Sequence, residues 1–423
     1  MAPLRVLISG GGIAGNALAF WLSRIGHDIT VVERFSSLRD TGLQLDLRGH
    51  GIEVMKRMGL QEAFKAQVAP EKGVQLVDKK GRRRAFFPST APGEGVQNFS
   101  TEFEIMRGNM CRILHDAAAK YGAKFVFGTS IESFEDKGSS VAIRFANGQT
   151  DSFDLVVGAD GLNSRTRKMM LGPGVDDGLR PLDGVVAGYF TMPRPIAEGE
   201  EYLATVYMAP GNKGLMIRRS DAEYWQVYVG CKTDAFRNVP RGDVKAEKAV
   251  LTEIMHGAGW ETENVIKAMN TDNDFYLERM ALVKLDRWFR GRVVLVGDAA
   301  WCPTANTGMG TTSSIVGAYV LAGEIGKHCG RGTSPNTKDN IAEALAAYDA
   351  KFRPFMDQIQ KGVAEAEGFS MTSALLSSAF GISLLHLFAA CVAFFKVNIG
   401  AMMLKEQVKG WDLPEYEELL REV

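Results

Sequence analysis

A glycine cluster near the start of the chain has the spacing of a nucleotide-binding loop. Gly10, Gly12, Ala14 and Gly15 supply a G-x-G-x-x-G pattern between an apolar run and a helix-period stretch. The first glycine allows a tight turn, the second lets the backbone approach a pyrophosphate, and the third lets the helix pack on the strand. Glu33 follows Gly15 by 18 residues and can accept hydrogen bonds from an adenosine ribose. The pattern therefore favours bound FAD or NAD over a glycine turn without a ligand.

A second motif follows another apolar run. That run ends in Asp160-Gly161, and Ser164 and Arg167 come shortly after it. A strand that ends in Asp-Gly usually marks only a turn, so this motif depends on its neighbours for meaning.

A third motif comes more than 280 residues after the first glycine loop. An apolar run ends at Gly297-Asp298, and the chain continues through Gly308, Gly310 and Thr311 into a predicted helix. The Asp can hold a polyol, and the glycines can present N–H groups to an electron-rich ring oxygen. Contacts at both ends of the chain require an extended ligand, which favours FAD over NAD.

Hydrophobic periodicity divides the chain into two kinds of region. A strand–helix–strand unit opens the chain, and further strands of the same region are predicted at 124–127, 152–157 and 293–296. Between about 185 and 229, Tyr- and Val-rich runs predict successive antiparallel strands. The pattern therefore predicts a sheet-based domain inserted between two parts of the first domain.

Composition excludes several classes of protein. The 423 residues include 49 Lys+Arg and 50 Asp+Glu, which argues against nucleic acid as a partner. Five cysteines without C-x-x-C spacing make a disulfide framework or a zinc cluster improbable and favour a reducing compartment. The N-terminus shows no secretory signal, so a cytoplasmic location is expected.

The C-terminal region contains a long uncharged stretch. Residues 368–395 include no Asp, Glu, Lys or Arg, and 384–395 are nearly all apolar. The favoured interpretation is helices that pack on the body of the protein. Membrane contact through a helix at 370–395, either interfacial or spanning, is the less favoured alternative.

Taken in order, the three motifs resemble those of the FAD-dependent monooxygenases of the para-hydroxybenzoate hydroxylase (PHBH) fold. Segments at 45–49, 105–108, 259–262 and 316–324 are similar to the branch that contains the tetracycline-inactivating monooxygenases. The resemblance implies an α/β fold with a Rossmann-like FAD-binding domain, an inserted antiparallel β-sheet substrate domain and C-terminal helices. The implied domains are FAD-binding at 1–72, 100–180 and 280–330, substrate-binding at 73–99 and 181–279, and C-terminal helical at 331–423.

The resemblance also implies roles for individual residues. Glu33 would bind the adenosine ribose with Arg34 near the adenine, and Gly308 and Gly310, with Thr311, would approach the isoalloxazine. The other implied FAD contacts are Arg107, Asp298 on the ribityl or pyrophosphate portion, Asp160, and Asp46 and Arg48 beside the flavin. Structural alternatives are that Arg107 pairs on a helix and that Arg48 is a surface charge. Trp301, Ala305 and Thr312 depart from the His or Tyr, Pro and Asn that are usual in the family.

The implied reaction uses NADPH as a transient co-substrate to reduce FAD, captures O₂ as a flavin hydroperoxide, and inserts oxygen into an electron-rich substrate. The expected substrate is an aromatic or polyketide-like small molecule, and no side-chain catalytic group or metal is expected. Tyr189, Tyr207, Trp225 and Tyr228 are candidates to line its pocket, although ordinary sheet core is the favoured role for each. The alternatives are a reductase, dehydrogenase or halogenase of the same fold and, more remotely, a non-catalytic FAD-binding or interaction protein.

Overall fold

A computed structural model of the chain describes residues 3–38, 42–89, 103–330, 340–361, 363, 375–395 and 408–420. Residues 90–99 of the predicted substrate domain and 331–339, 364–374 and 396–407 of the predicted C-terminal region lie outside the described residues.

The strands are β1 (Arg5–Ser9), β2 (Asp28–Glu33), β3 (Gln44–Asp46), β4 (Gly73–Val77), β5 (Arg83–Pro88), β6 (Glu104–Met106), β7 (Lys124–Phe127), β8 (Ile131–Asp136), β9 (Val141–Phe145), β10 (Thr150–Phe153), β11 (Leu155–Gly158), β12 (Leu179–Pro193), β13 (Ala204–Ala209), β14 (Lys213–Arg218), β15 (Tyr224–Lys232), β16 (Tyr276–Val283), β17 (Phe289–Arg290) and β18 (Val293–Leu295). The helices are α1 (Ile13–Arg24), α2 (His50–Arg57), α3 (Gln61–Lys65), α4 (Arg107–Lys120), α5 (Arg165–Leu171), α6 (Val244–Met255), α7 (Thr262–Thr271), α8 (Asp298–Trp301), α9 (Gly310–Cys329), α10 (Ile341–Gln360), α11 (Ala379–Phe394) and α12 (Glu417–Leu420).

A six-stranded sheet carries the three sequence motifs. Its order is β17-β18-β11-β1-β2-β7, and all its neighbours are parallel except β17 and β18. Strands β1 and β18 are almost wholly buried and apolar, as expected when helices cover both faces of a parallel sheet. Because β18, β11 and β1 are neighbours, their carboxyl ends meet at one edge, where each motif begins.

Long helices cover this sheet. Helix α1 packs against α4 and α9, and α9 packs against α10. Gly317 of α9 allows a close approach, since a Cβ there would lie 2.5 Å from the Trp301 ring. The helix predicted to follow Thr311 is present as α9, and α9 and α10 form one core with the sheet.

A seven-stranded sheet, in the order β16-β12-β15-β14-β13-β4-β5, forms a second layer. Its neighbours are antiparallel except β13 and β4, which pair in parallel, so the sheet predicted as antiparallel contains one parallel junction. The hairpin β4–β5 comes from a distant part of the chain and adds to β13 at the edge. Helices α6 and α7 cover one face through residues such as Leu251 and Val265, whereas Leu43 packs on the other face against Ala187 and Tyr189.

A buried ionic network joins this sheet to the β3–β6 ribbon. The Arg218 guanidinium donates to both Glu71 oxygens at 2.7 Å and to Glu104 Oε2 at 2.8 Å. The Gln44 amide donates to the same two carboxyl groups, and its backbone N–H donates to Gln226 Oε1 at 2.9 Å. Since the side chains of Glu71 and Glu104 are at most 1% exposed, this network holds the ribbon against the seven-stranded sheet in a dry environment.

Helix α11 packs on β5 with one side only. Ala389 and Val392 contact Ala85 and Phe87, while the opposite side of the helix is exposed. The interpretation favoured from the sequence is that helices of this region pack on the body of the protein. For α11 this holds on one side of the helix. Among the described residues, no helix has both the length and the apolar character needed to cross a membrane.

We expect the Glu104→Gln variant to remove a pH dependence of stability. Burial raises the pKa of Glu104 from 4.5 to about 8, with Arg218 opposing and Asp46 and Glu71 adding to the shift. Because the folded state holds this proton more tightly, the stabilisation is complete below pH 4.5 and is lost as the pH rises through 8, with a slope of at most about 1.4 kcal/mol per pH unit. Urea unfolding from pH 5 to 9 should show a flatter profile for Glu104→Gln than for the wild type.

The matched control is Glu62→Gln, whose side chain is 87% exposed. This variant should reproduce the wild-type pH profile. An unchanged profile in Glu104→Gln would contradict the assignment of the raised pKa to this carboxyl.

Candidate functional site

The glycine loop lies where β1 turns into α1. Gly10 has a φ of +114°, and a Cβ built on it would lie 2.4 Å from the carbonyl oxygen of Ala159. A Cβ on Gly15 would lie 2.0 Å from the Gly10 oxygen, so both positions require glycine for packing. Gly12 differs, because a Cβ there would meet no described atom within 4 Å. Its backbone therefore borders open space.

Two helices begin at this site without a capping side chain. Helix α1 follows Gly12, and neither its N-cap nor its first turn supplies a carboxylate. Helix α9 begins at Gly310 and Thr311, also without a side-chain cap, after Gly308 turns the chain with a φ of +64°. A Cβ on Gly310 would again meet no described atom within 4 Å. Both helix starts can therefore offer backbone N–H groups to an anion.

Gly297 brings the two helix starts together. A Cβ on it would lie 2.8 Å from the Ala14 Cβ and 3.5 Å from the Ser314 hydroxyl oxygen. The turn after β18, at which Asp298 begins α8, therefore lies against both α1 and α9.

The Glu33 carboxylate is fixed beside the glycine loop. The Gly11 N–H donates to its Oε2 at 2.8 Å, and the Phe35 N–H donates to its Oε1 at 3.1 Å. Arg34 is exposed, and its guanidinium lies 4.9 Å from the centre of the Phe35 ring. The structure thus joins Glu33 to the loop and places Arg34 on the adjacent surface.

Asp160 forms an N-terminal cap for α5. Its Oδ2 accepts bonds from the N–H groups of Arg165 and Thr166 at 2.9 and 3.0 Å, and its Oδ1 accepts from the Ser164 hydroxyl at 2.5 Å. The fully buried Arg167 donates to the carbonyl oxygens of Ala299 and Leu162 at 3.1 and 2.8 Å. The second motif therefore holds the third one in place, a role that its sequence did not indicate.

Asp46 and Arg48 form an ion pair next to the start of α9. The Arg48 Nε donates to Asp46 Oδ2, and the Arg48 side chain is 1% exposed. The Thr312 hydroxyl accepts from the Arg48 N–H at 3.0 Å and lies 3.2 Å from its carbonyl oxygen. Burial thus contradicts the alternative that Arg48 is a surface charge.

Arg107 starts α4 and is electrostatically coupled to two carboxyl groups. Burial raises the pKa of Asp298, and the Arg107 cation opposes that rise. Burial and then Asp298 raise the pKa of Glu278 to about 7, while Arg107 and a hydrogen bond with Tyr189 lower it. Sequence reasoning missed Glu278, since an acidic residue inside a strand without a motif carries no recognisable signal.

Glu278 lies on the face of the seven-stranded sheet that is not covered by α6 and α7. On that face Tyr276, Tyr189, Tyr228 and Met216 are consecutive cross-strand partners, here called the tyrosine row. The next row consists of Glu278, Ala187, Gly230 and Gly214, here called the small row. A Cβ on Gly230 would meet no described atom within 4 Å, so the small row borders open space.

The other two candidate pocket aromatics face away from this space. Tyr207 and Trp225 belong to the core beneath α6 and α7, as ordinary sheet residues. Trp225 also lines a separate cavity of about 210 Å³ together with Arg219 and Trp260. None of the predicted FAD-contact residues lines that cavity, so it does not belong to the candidate site.

Thr304 is a strained residue near the start of α9. It is 2% exposed and has a φ of +65° and a ψ of 151°, a conformation that β-branched residues rarely adopt. Its hydroxyl lies 3.7 Å from the Met280 sulfur on the seven-stranded sheet. No sequence signal indicated this strain, which lies between the two layers.

Comparisons with known proteins agree with this geometry. A family model described as an FAD binding domain matches residues 3–361. The FAD-dependent monooxygenase asL4 of Sarocladium schorii is 51% identical over 433 residues, with 100% of both chains covered. The flavin-dependent monooxygenase eupH of a Phoma species is 40% identical, with 84% of this chain and 85% of that protein covered.

Solved structures show the same fold. The tetracycline destructase Tet(55) superposes with a TM-score of 0.77 at 27% identity and covers 98% of this chain and 99% of its own. Tet(51) superposes with a TM-score of 0.74 at 26% identity, covering 99% and 100%. The resemblance to the PHBH-type flavoproteins is therefore confirmed, and the chain belongs to the FAD-binding-domain family as a FAD-dependent monooxygenase.

Proposed function

We propose that this enzyme consumes NADPH and inserts one oxygen atom of O₂ into an electron-rich phenolic, polyketide-like or polycyclic molecule. The observation that carries the proposal is the contact between the third motif and the seven-stranded sheet. The Val283 N–H of β16 donates to the Cys302 carbonyl oxygen at 3.1 Å, and Glu278 of the same strand lies within electrostatic range of Asp298 and Arg107. The similarity to Tet(55), whose name refers to tetracycline, supports a polycyclic substrate.

The site has the features that FAD requires. Gly12 and Gly310 leave the space that a close backbone approach needs, and the helix starts beside them suit a pyrophosphate and an electron-rich ring edge. When bound, FAD supplies the redox chemistry and the activation of O₂. The residues proposed to hold it are Gly10, Gly12, Ala14, Gly15, Glu33, Arg34, Asp46, Arg48, Arg107, Asp160, Asp298, Gly308, Gly310 and Thr311.

The proposed role of Glu33 is to accept hydrogen bonds from the ribose hydroxyls, since two backbone N–H groups already orient its carboxylate. For Asp160 the role is indirect, because its capping bonds position the neighbouring loop. We assign NADPH no separate domain, since the sequence contains one dinucleotide loop and FAD takes it. NADPH would then bind transiently.

The substrate is proposed to lie on the small row. Gly230 leaves open space on this face, and the adjacent Tyr189 and Tyr228 offer aromatic contacts. With FAD on the six-stranded layer and the substrate on the seven-stranded layer, these layers are the FAD-binding and substrate domains. The remainder of the chain is a helical region. None of the five cysteines forms a disulfide bond in the described structure, which supports a reducing, cytoplasmic setting.

Glu278 is proposed to accept a proton from a substrate hydroxyl. Its carboxyl lies at the end of the small row, and a pKa of about 7 lets it hold or release a proton near neutral pH. Removing that proton makes the substrate ring more electron-rich, which favours oxygen insertion.

The proposed reaction is tested by substrate-dependent turnover. Purified enzyme loaded with FAD should oxidise NADPH faster when a polycyclic phenol from a screen is added, with one O₂ consumed per oxygen found in the product by mass. Turnover without O₂ would instead support a reductase or dehydrogenase of this fold.

The glycine loop offers a matched pair of variants. Gly12→Ala should leave the unfolding free energy of the flavin-free protein within about 0.5 kcal/mol of the wild type, because its Cβ meets no described atom. It should nevertheless lower FAD affinity at least tenfold, as measured by quenching of flavin fluorescence. Gly15→Ala should destabilise the fold by about 1–3 kcal/mol, because its Cβ would overlap the Gly10 oxygen. Wild-type FAD affinity in Gly12→Ala would rule out a close backbone approach at this position.

Glu278 should control the pH profile. If its carboxylate accepts the proton, kcat/KM rises with pH through about 7, and Glu278→Gln removes this limb and lowers the rate on the order of 10²-fold. Tyr189→Phe should move the midpoint above 7, since the Tyr189 hydrogen bond lowers the pKa of Glu278. The exposed Glu253→Gln serves as the control. A Glu278→Gln variant that retains the limb would exclude Glu278 as the base.

A further inference from the structure

The outward side of α11 exposes a stripe of large apolar side chains. Phe380 and Phe394 are 80% and 81% exposed, and Leu387 and Phe388 are 62% and 60% exposed. The full stripe comprises Phe380, Leu384, Leu387, Phe388, Cys391, Phe394 and Phe395. At about 100° per residue these seven positions fall within roughly 120° of the helix circumference and extend over about 22 Å. They therefore form one continuous surface.

The composition of this surface differs from that of an ordinary surface helix. A helix that packs on a protein with one side normally turns charged or polar residues toward water. Here residues 368–395 carry no charge, and the exposed side of α11 is as apolar as its packed side. Monomeric soluble proteins rarely expose contiguous apolar patches of this kind without a partner. The occupant of the stripe must therefore be apolar along the whole helix.

A cationic loop lies beside the same helix. The β4–β5 tip, residues 78–84, carries Lys79, Lys80, Arg82, Arg83 and Arg84 against one carboxylate, Asp78, and all five cations are exposed. Strand β5, which continues from this tip, is the strand on which α11 packs. Burial and then the Arg84 cation lower the pKa of His386, in the middle of α11, so the tip lies within electrostatic range of the helix. The surface thus combines an apolar stripe with a local net charge of +4.

We propose that the stripe and the β4–β5 tip form a docking surface for an anionic lipid membrane. The stripe enters the acyl boundary with α11 parallel to the membrane plane, and the cations of the tip contact the lipid headgroups. The helix is about 24 Å long, which suits an interfacial position better than a crossing of the roughly 30 Å hydrocarbon core. A second protein copy would account for an apolar stripe but not for the neighbouring concentration of positive charge.

The position of α11 connects this surface to the candidate substrate site. Leu76 and Ala85, which α11 covers, are cross-strand partners on the edge hairpin. Val206 is the cross-strand partner of Leu76 on one side and of Met216, a member of the tyrosine row, on the other. The membrane-facing helix therefore borders the same sheet face on which the substrate is proposed to lie. Docking would present that face to apolar molecules dissolved in the bilayer. This consequence rests on the proposed function, whereas the docking surface itself does not.

Binding of the FAD-loaded enzyme to vesicles tests the proposal. Vesicles of phosphatidylcholine that contain about 30% phosphatidylserine are compared with vesicles of pure phosphatidylcholine. Binding is measured by co-sedimentation at about 100 mM salt. Cys391 lies within the stripe and is the exposed cysteine, whereas the other four are buried, so a polarity-sensitive dye can be attached there selectively. We expect binding to the anionic vesicles, weakening at high salt, and a blue shift of the dye emission.

Two double variants separate the contribution of the apolar stripe from that of the β4–β5 tip. Leu387→Glu with Phe388→Glu should weaken vesicle binding at least about a hundredfold, and Lys79→Gln with Lys80→Gln should weaken it on the order of tenfold. The matched control is Val175→Glu with Val244→Glu, which adds the same charge at exposed valines elsewhere and should bind as the wild type does.

Three results would overturn the proposal. Equal binding by the Leu387→Glu/Phe388→Glu variant would exclude the stripe. Absence of vesicle binding, together with a dimer in solution that this variant dissociates, would assign the stripe to a second copy. Absence of vesicle binding by a monomer that this variant destabilises would show that another segment of the chain covers the stripe.

Discussion

The buried guanidinium of Arg167 holds together the edge of the sheet on which the FAD site depends. A charge removed from water needs hydrogen-bond partners and an opposite charge. Arg167 donates to the carbonyl oxygens of Leu162 and Ala299 and pairs with Asp177 at 3.4 Å, while its Nε has no partner among the described residues. These carbonyls belong to the loops after β11 and β18, which are more than 130 residues apart in the chain. Holding Ala299 also fixes Asp298 and Gly297, and Gly297 in turn contacts Ala14 of α1. One side chain thus links the second motif to the third, in addition to the parallel pairing of β1, β11 and β18.

The second constraint is the attachment of the β3–β6 ribbon to the seven-stranded sheet. The Arg218 network links the ribbon to β14, so the sheet that carries Glu278 cannot move independently of the segment that carries Asp46 and Arg48. Two carboxyl groups share one guanidinium there, and burial, opposed by Arg218, raises the pKa of Glu104 to about 8. At Glu278, burial and then Asp298 raise the pKa, and Arg107 opposes the rise. The ionisation of both carboxyl groups therefore depends on their burial and on the charges around them.

Local sequence patterns predicted the parts of the site that are built locally. The glycine loop, the helix after it and Glu33 lie within one strand–helix–strand unit, so spacing alone was sufficient. The parallel pairing of β13 with β4 and the rows on the sheet face could not be predicted, because they depend on register between distant strands. Glu278 acquires its environment only through that register. The exposed stripe of α11 was equally hidden, since a helix that is apolar all round gives no periodicity to distinguish its two sides.

The departure at Ala305 shows how tertiary contacts can replace local stiffness. Proline restricts its own φ and the conformation of the preceding residue, and alanine does neither. In this chain the preceding Thr304 nevertheless keeps a φ of +65°, so surrounding contacts must hold it. The amide nitrogen of Gln360, from α10, lies 2.9 Å from the carbonyl oxygens of Val283 and Trp301 and 3.2 Å from that of Cys302. This clamp fixes the segment just before Thr304 to β16, so the rigidity that a proline would supply locally comes from a helix more than fifty residues later.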